Sequence, residues 1–178
     1  MQRLTIIVPG DDVKKAINAP INHNWAECQG PVLAKDTSAP SAYSVLPRVI
    51  EKNKKTIIGH GNADFILLLN GTVMTIQGMT WGGAQGFSSP PSEWNDFYVP
   101  YHSDYTIGAT AGAGVFGSWW EERGLTFCTV DISGHMIPQY APSAAYRQLE
   151  YLLGRVSSLS DISDFSVSGL LFPSVNSY

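Results

Sequence analysis

The chain has 178 residues, 44% of them hydrophobic and 15% charged, with a formal net charge of −4. Such a length and composition suit one globular domain able to bury a core, and an acidic balance without a long basic run excludes nucleic-acid binding by phosphate neutralisation. No apolar stretch approaches the roughly 20 residues that cross a bilayer. The short apolar run before Pro9 falls below the about 7–15 residues of a signal-peptide core, so neither a membrane span nor a targeting segment is read.

In chain order, Asp11 to Ala19 reads as a short helix, with an acidic first turn, Val13 and Ile17 one turn apart and Pro20 as its stop. Residues 20–42, rich in Pro, Asn and Ser, read as loop. Tyr43 to Glu51 holds a weak helical pattern interrupted by Pro47, and Lys52-Asn53-Lys54-Lys55 reads as a solvated turn. Thr56-Ile57-Ile58-Gly59-His60 is a β-branched strand stopped by Gly61. Ile66, Leu69, Val73 and Ile76 recur at helical spacing, predicting a helix from about Phe65 to Gln77. Residues 78–104 read as loop, and segments 105–111 and 114–121 as a Gly-rich hairpin. Leu125 to Val130 is a strand. Ser143 to Leu153 is a helix with Ala145, Leu149 and Leu152 on one face, Pro142 in its first turn and Gly154 at its end. The Ser-rich remainder has little periodicity.

The order strand–helix, hairpin, strand–helix predicts an α/β class, in which chemistry collects at the carboxyl edges of strands. Two such edges stand out: Gly61-Asn62-Ala63-Asp64 after the first strand, and Asp131-Ile132-Ser133-Gly134-His135-Met136 after the last. An acyl-transfer triad needs a histidine to shuttle the proton and a carboxylate to orient it. In α/β-hydrolases these follow late strands in the order Ser, acid, His. Asp64 and His135 fit that order and placement, although spacing alone leaves a solvated turn aspartate and a structural histidine open. Asp131, four residues before His135, is the rival orienter, and His60 reads as packing at a strand end. His23 and His102 have no partners at metal-ligand spacing, so no metal is expected, and no cofactor. Gly112-Ala113-Gly114-Val115-Phe116-Gly117 matches G-x-G-x-x-G, but such a motif must open a helix to hold a dinucleotide. The run that follows, Gly117-Ser118-Trp119-Trp120, is poor helix material. Cys128 sits in a strand as an inert small hydrophobe; Cys28 could pair with a cysteine outside this chain.

Several blocks together resemble the serine carboxypeptidase family, most of all its fungal members. They are Val45–Glu51, Ile57-Ile58-Gly59-His60-Gly61-Asn62-Ala63-Asp64-Phe65-Ile66-Leu67, Asn70-Gly71-Thr72, Met79-Thr80-Trp81-Gly82-Gly83, Pro90-Pro91-Ser92 and Gly134-His135-Met136-Ile137-Pro138. The helix after His135 and the upstream Asp12–Ile17 and Asn24–Cys28 also match. The resemblance runs from about residue 11 to 156. It implies the C-terminal part of an α/β-hydrolase sheet, a domain portion over 1–156 and a tail over 157–178. It also implies that Asp64 is the catalytic acid, that His135 is the general base, and that Met136 lines the pocket for the substrate's C-terminal residue. Family enzymes remove residues singly from peptide C-termini, working best in acid, and are secreted or vacuolar glycoproteins. Asn70-Gly71-Thr72 is a glycosylation sequon in keeping with that.

The family's serine sits on a G-x-S-x-G elbow upstream of the acid, and no such elbow occurs here; Gly86-Phe87-Ser88-Ser89-Pro90 ends in proline. Without a nucleophile the chain is expected to be inactive alone, engaging peptide only if completed by the N-terminal part. A truncated product, one chain of a cleaved enzyme and a degenerate interaction module are the competing origins, and Met1 followed by a non-matching stretch favours the first. Absent neighbouring strands would expose a sheet edge, so self-association or a complementary chain is expected.

Overall fold

The computed structural model describes residues 10–23, 35–53, 55–101 and 113–166. The chain divides into two compact units, Met1–Ser38 and Ala39–Tyr178. In the first, α1 (Asp11–Ala16) has the expected acidic first turn. It ends where Asn18 takes φ 56° and Lys14 Nζ donates to the Ile21 carbonyl at 3.2 Å.

The second unit opens with α2 (Ser41–Ser44) and α3 (Leu46–Asn53). Pro47 therefore does not interrupt one helix. It lies in the first turn of another, where its missing N–H would have had no helical partner. Four strands follow: β1 (Thr56–Gly61), β4 (Asn95–Val99), β5 (Gly114–Glu122) and β6 (Leu125–Val130). They form one sheet in the order β1-β6-β5-β4, while β2 (Thr80–Trp81) and β3 (Ala84–Gln85) make a separate small ribbon. The β1/β6 pair is parallel with Gly61 opposite Val130; the other two pairings are antiparallel. The second half of the expected hairpin is a strand, but its partners are β4 and β6, which occupy both its edges. Residues 105–111, like Cys28 and His102, lie outside the described residues. Gly114 begins β5 and Gly117 lies within it, so the glycine motif feeds a strand rather than a helix. A Cβ at Gly117 would stand 2.0 Å from the Thr129 carbonyl oxygen, so a glycine lets β5 and β6 meet there.

All six β6 residues are buried, and they alternate between two cores. Leu125 and Phe127 join Ile50, Ile76, Met79, Trp81 and Phe87 under α3 and α4 (Leu69–Gly78). Part of the expected 78–104 loop is pinned there by edge-to-face contacts from Trp81 to Phe87 (5.4 Å), Phe87 to Trp94 (6.1 Å) and Trp94 to Phe127 (5.4 Å). Cys128 and Val130 join the opposite core beneath α5 (Ile137–Tyr140) and α6 (Pro142–Leu152). Burial pushes the Cys128 thiol well above its ordinary pKa, which keeps it protonated and unreactive.

The stripe of α6 that faces this core is not the expected one. Leu149 and Leu152 are exposed, whereas Ala144, Arg147, Glu150 and Tyr151 are buried. Arg147 and Glu150 can be buried because they neutralise each other, Nη1 to Oε2 at 3.0 Å. The Ser-rich segment after residue 156 packs on the same side through Val156, Leu159 and Phe165. Tyr98 N donates to the Leu159 carbonyl at 2.8 Å and Trp119 Nε1 to Ser160 Oγ at 2.9 Å, tying that segment to β4 and β5. Among the described residues no helix is long and apolar enough to cross a membrane, and no group of three His, Cys, Asp or Glu is placed to hold a metal ion.

Candidate active site

Because β1 and β6 are parallel neighbours in register, their carboxyl ends release two loops side by side. The loops are stitched together by backbone. Asn62 N donates to the Val130 carbonyl at 2.8 Å and Ala63 N to the Ser133 carbonyl at 2.9 Å. Gly61 permits this closeness: a Cβ there would stand 2.3 Å from the Gly134 oxygen and 2.4 Å from the Ser133 oxygen, both rigid backbone. Gly61→Ala is therefore expected to destabilise the unit by about 1–3 kcal/mol through overpacking, read as a lower urea midpoint. A midpoint within error of the parent would show that the loops are not held as tightly as this spacing requires.

Asp64 and His135 meet across that seam. His135 Nδ1 lies 2.9 Å from Asp64 Oδ2, the imidazole 42% exposed and the carboxylate only 5%. The other carboxylate oxygen accepts the backbone N–H groups of Ile66 at 2.8 Å and Leu67 at 3.0 Å. Burial pulls the Asp64 carboxyl upward, but the Leu67 amide, the His135 ring and the Ile66 amide together outweigh it and hold the group at about 2. An ionised carboxylate only accepts, so Nδ1 carries the shared proton. Nε2 is then an acceptor with no hydrogen-bond partner among the described residues, the form a general base needs. The rival Asp131 is engaged elsewhere: its Oδ1 accepts from Asn62 Nδ2. Between Asp131 and His135 the backbone turns sharply at Ile132, which takes φ 53°, a conformation disfavoured for a β-branched residue.

The same turn explains where α4 begins. The amides of Ile66 and Leu67 bond the Asp64 side chain, so the helix expected from Phe65 starts only at Leu69. Phe65 to Leu68 are left exposed, Phe65 at 88%. Met136 caps α5 and is 46% exposed, its carbonyl accepting from Gln139 N at 3.0 Å and Tyr140 N at 3.1 Å. Asn70 lies exposed in the first turn of α4, open to modification from solvent. His60 is closer to the pair than a strand-end packing role suggests: its Nε2 stands 3.8 Å from Asp64 Oδ2 and 2.9 Å from the Leu67 carbonyl oxygen. The signal available in the sequence was its offset of four from Asp64 across the strand end, which nothing in strand periodicity marks as close.

The family model described as serine carboxypeptidase matches residues 4–155. A probable serine carboxypeptidase of Arthroderma benhamiae is 53% identical over 152 residues, covering 84% of this chain and 28% of the relative. Serine-type carboxypeptidase F of Aspergillus niger is 40% identical over 164 residues, covering 83% of this chain and 31% of the relative. Among solved structures, a prohormone-processing carboxypeptidase from Saccharomyces cerevisiae superposes with a TM-score of 0.55 at 24% identity. That match covers 80% of this chain and 29% of the other. This chain thus spans less than a third of the length of each of these proteins.

Proposed function

The chain belongs to the serine carboxypeptidase family, and from that premise we propose that Asp64 and His135 are the acid and general base of a peptide C-terminal hydrolase whose nucleophile lies outside these residues. The observation that carries this reading is the 2.9 Å carboxylate–imidazole pair at the carboxyl ends of adjacent parallel strands. In the completed site His135 Nε2 takes the proton of a serine hydroxyl as it attacks the scissile carbonyl, and later gives it to the leaving amine. Asp64 holds the tautomer and stabilises the imidazolium. Met136, beside the base and half open to solvent, lies against the departing C-terminal residue. Such an enzyme belongs to the secretory pathway, where the exposed Asn70 is accessible for glycosylation.

An acid and a base without a nucleophile form no acyl-enzyme, so the chain alone is inactive. A second reading, an interaction module, is favoured by the exposed run Phe65 to Leu68 and by β1, which ends the sheet with one edge unpaired among the described residues. Both features equally suit a complementary polypeptide supplying the rest of the fold.

The test is release of a bulky apolar C-terminal residue from an N-blocked peptide in mild acid. Purified chain is expected to release none. A complex of the chain with the N-terminal portion of the Arthroderma relative is expected to release it, and His135→Ala in the chain to abolish that release. Release by the chain alone would overturn its inactivity; a stable complex without activity would overturn the assignment of the pair.

A further inference from the structure

Resting on the pairing of Asp64 with His135 proposed above, we infer that His60 is a positioning residue of the same site, fixing the Asp64–Leu67 turn so that the carboxylate faces His135. His60 is buried at the end of β1, and its Nε2 lies 2.9 Å from the Leu67 carbonyl oxygen. A carbonyl only accepts, so Nε2 carries a proton and donates it. The 3.8 Å from the same nitrogen to Asp64 Oδ2 is too long for a hydrogen bond, so the ring serves the turn before it serves the carboxylate.

The peptide units of the turn are thereby held at both ends. Leu67 N–H bonds Asp64 Oδ1 at 3.0 Å while Leu67 C=O accepts from His60. Packing contributes little, because Phe65, Ile66, Leu67 and Leu68 are all exposed. The polar bonds are what hold residues 64–67, and His60 is the one among them anchored in the sheet. With that anchor gone, the Ile66 and Leu67 amides no longer fix Oδ1, and Oδ2 loses its aim at the imidazole. A strand-end histidine that merely fills space predicts no such effect.

Nuclear magnetic resonance of the imidazole protons in the full chain separates the two roles. In the unsubstituted chain His135 shows a protected Nδ1–H bonded to Asp64. His60→Leu removes the donor, and His60→Asn keeps polarity but places its amide short of Leu67. Each is expected to speed exchange of the His135 Nδ1–H by about tenfold, the scale of losing one hydrogen bond. His60→Gln, whose amide nitrogen falls near the position of Nε2, is expected to restore the slow exchange. If His60→Leu does not fold, the Asn and Gln variants decide. Exchange unchanged in His60→Asn, or not rescued by His60→Gln, overturns the positioning role and leaves the Asp64–His135 pair standing. A missing Nδ1–H signal in the unsubstituted chain overturns the pair itself, and the role of His60 with it.

Discussion

Arg147→Ala is expected to destabilise the Ala39–Tyr178 unit by about 3–5 kcal/mol, and Glu150→Ala by a similar amount, the usual cost of stranding one partner of a buried ion pair. Both side chains are fully buried. Arg147 Nη1 donates to Glu150 Oε2 at 3.0 Å, Nη2 donates to the Ser163 carbonyl, and the guanidinium lies 5.2 Å over the Phe165 ring. Glu150 Oε1 in turn accepts from Ser166 N and Oγ, each at 2.6 Å. Each charge therefore also holds the segment that follows α6, and losing either frees residues 163–166 as well. The pair is nonetheless imperfect, since Arg147 Nε is buried without a partner among the described residues. For that reason Arg147→Met combined with Glu150→Leu is expected to recover most of the loss, because no charge is left buried alone. Urea unfolding of the four proteins closes the cycle, with the coupling read as the non-additive part. Single substitutions costing under about 1 kcal/mol, or losses that simply add, would mean that the pair is solvated and that packing alone holds the segment.

How much of this could be read from the sequence depended on whether the decisive contact was local. β1 and β6 were legible because Thr56-Ile57-Ile58 and Leu125–Val130 are β-branched or apolar runs, and strands buried on both sides read that way. The loops after them were legible as chemistry because aspartate and histidine at strand carboxyl ends have few structural uses. The start of α4 was not, because the Asp64 side chain takes amides that helical spacing assigns to a first turn. β4 was missed since Asn95-Asp96 opens it, Pro100 follows it, and its register shifts between Asp96 and Tyr98. Only pairing with β5 makes it a strand. The face of α6 was misread for a similar reason: hydrophobicity pointed to Leu149 and Leu152, while the buried stripe includes an arginine and a glutamate whose compatibility with the core exists only as a pair. Val156, Leu159 and Phe165 lie among serines without periodicity, so their burial is purely tertiary.

Asp64→Asn is expected to change both the pH dependence of folding and, in the completed enzyme, the rate. The native Asp64 carboxyl sits at about 2 against an ordinary 3.8. Because the folded value is depressed, the unfolded chain binds more protons in this window and stability rises with pH. The contribution is fully present above 3.8, shrinks as pH falls toward about 2 and is gone below it. Other carboxylates with lowered values, such as Glu122 and Asp161, titrate in overlapping acid, so the difference between parent and Asp64→Asn is the quantity to follow. Unfolding of both proteins in urea from neutral pH down to about 2 should show that difference largest above 3.8 and converging toward the acid end. Parallel stability curves would mean that Asp64 is not held ionised by Leu67, His135 and Ile66. The same substitution lets the side chain donate toward His135 instead of accepting, which favours the wrong tautomer. In the complemented enzyme it should cost about 10⁴-fold in kcat, the scale of losing the orienting carboxylate of a triad. Since Asp64 stays ionised well below the range where histidines titrate, that loss should persist throughout mild acid; a deficit that vanishes there would assign the orienting role to another group.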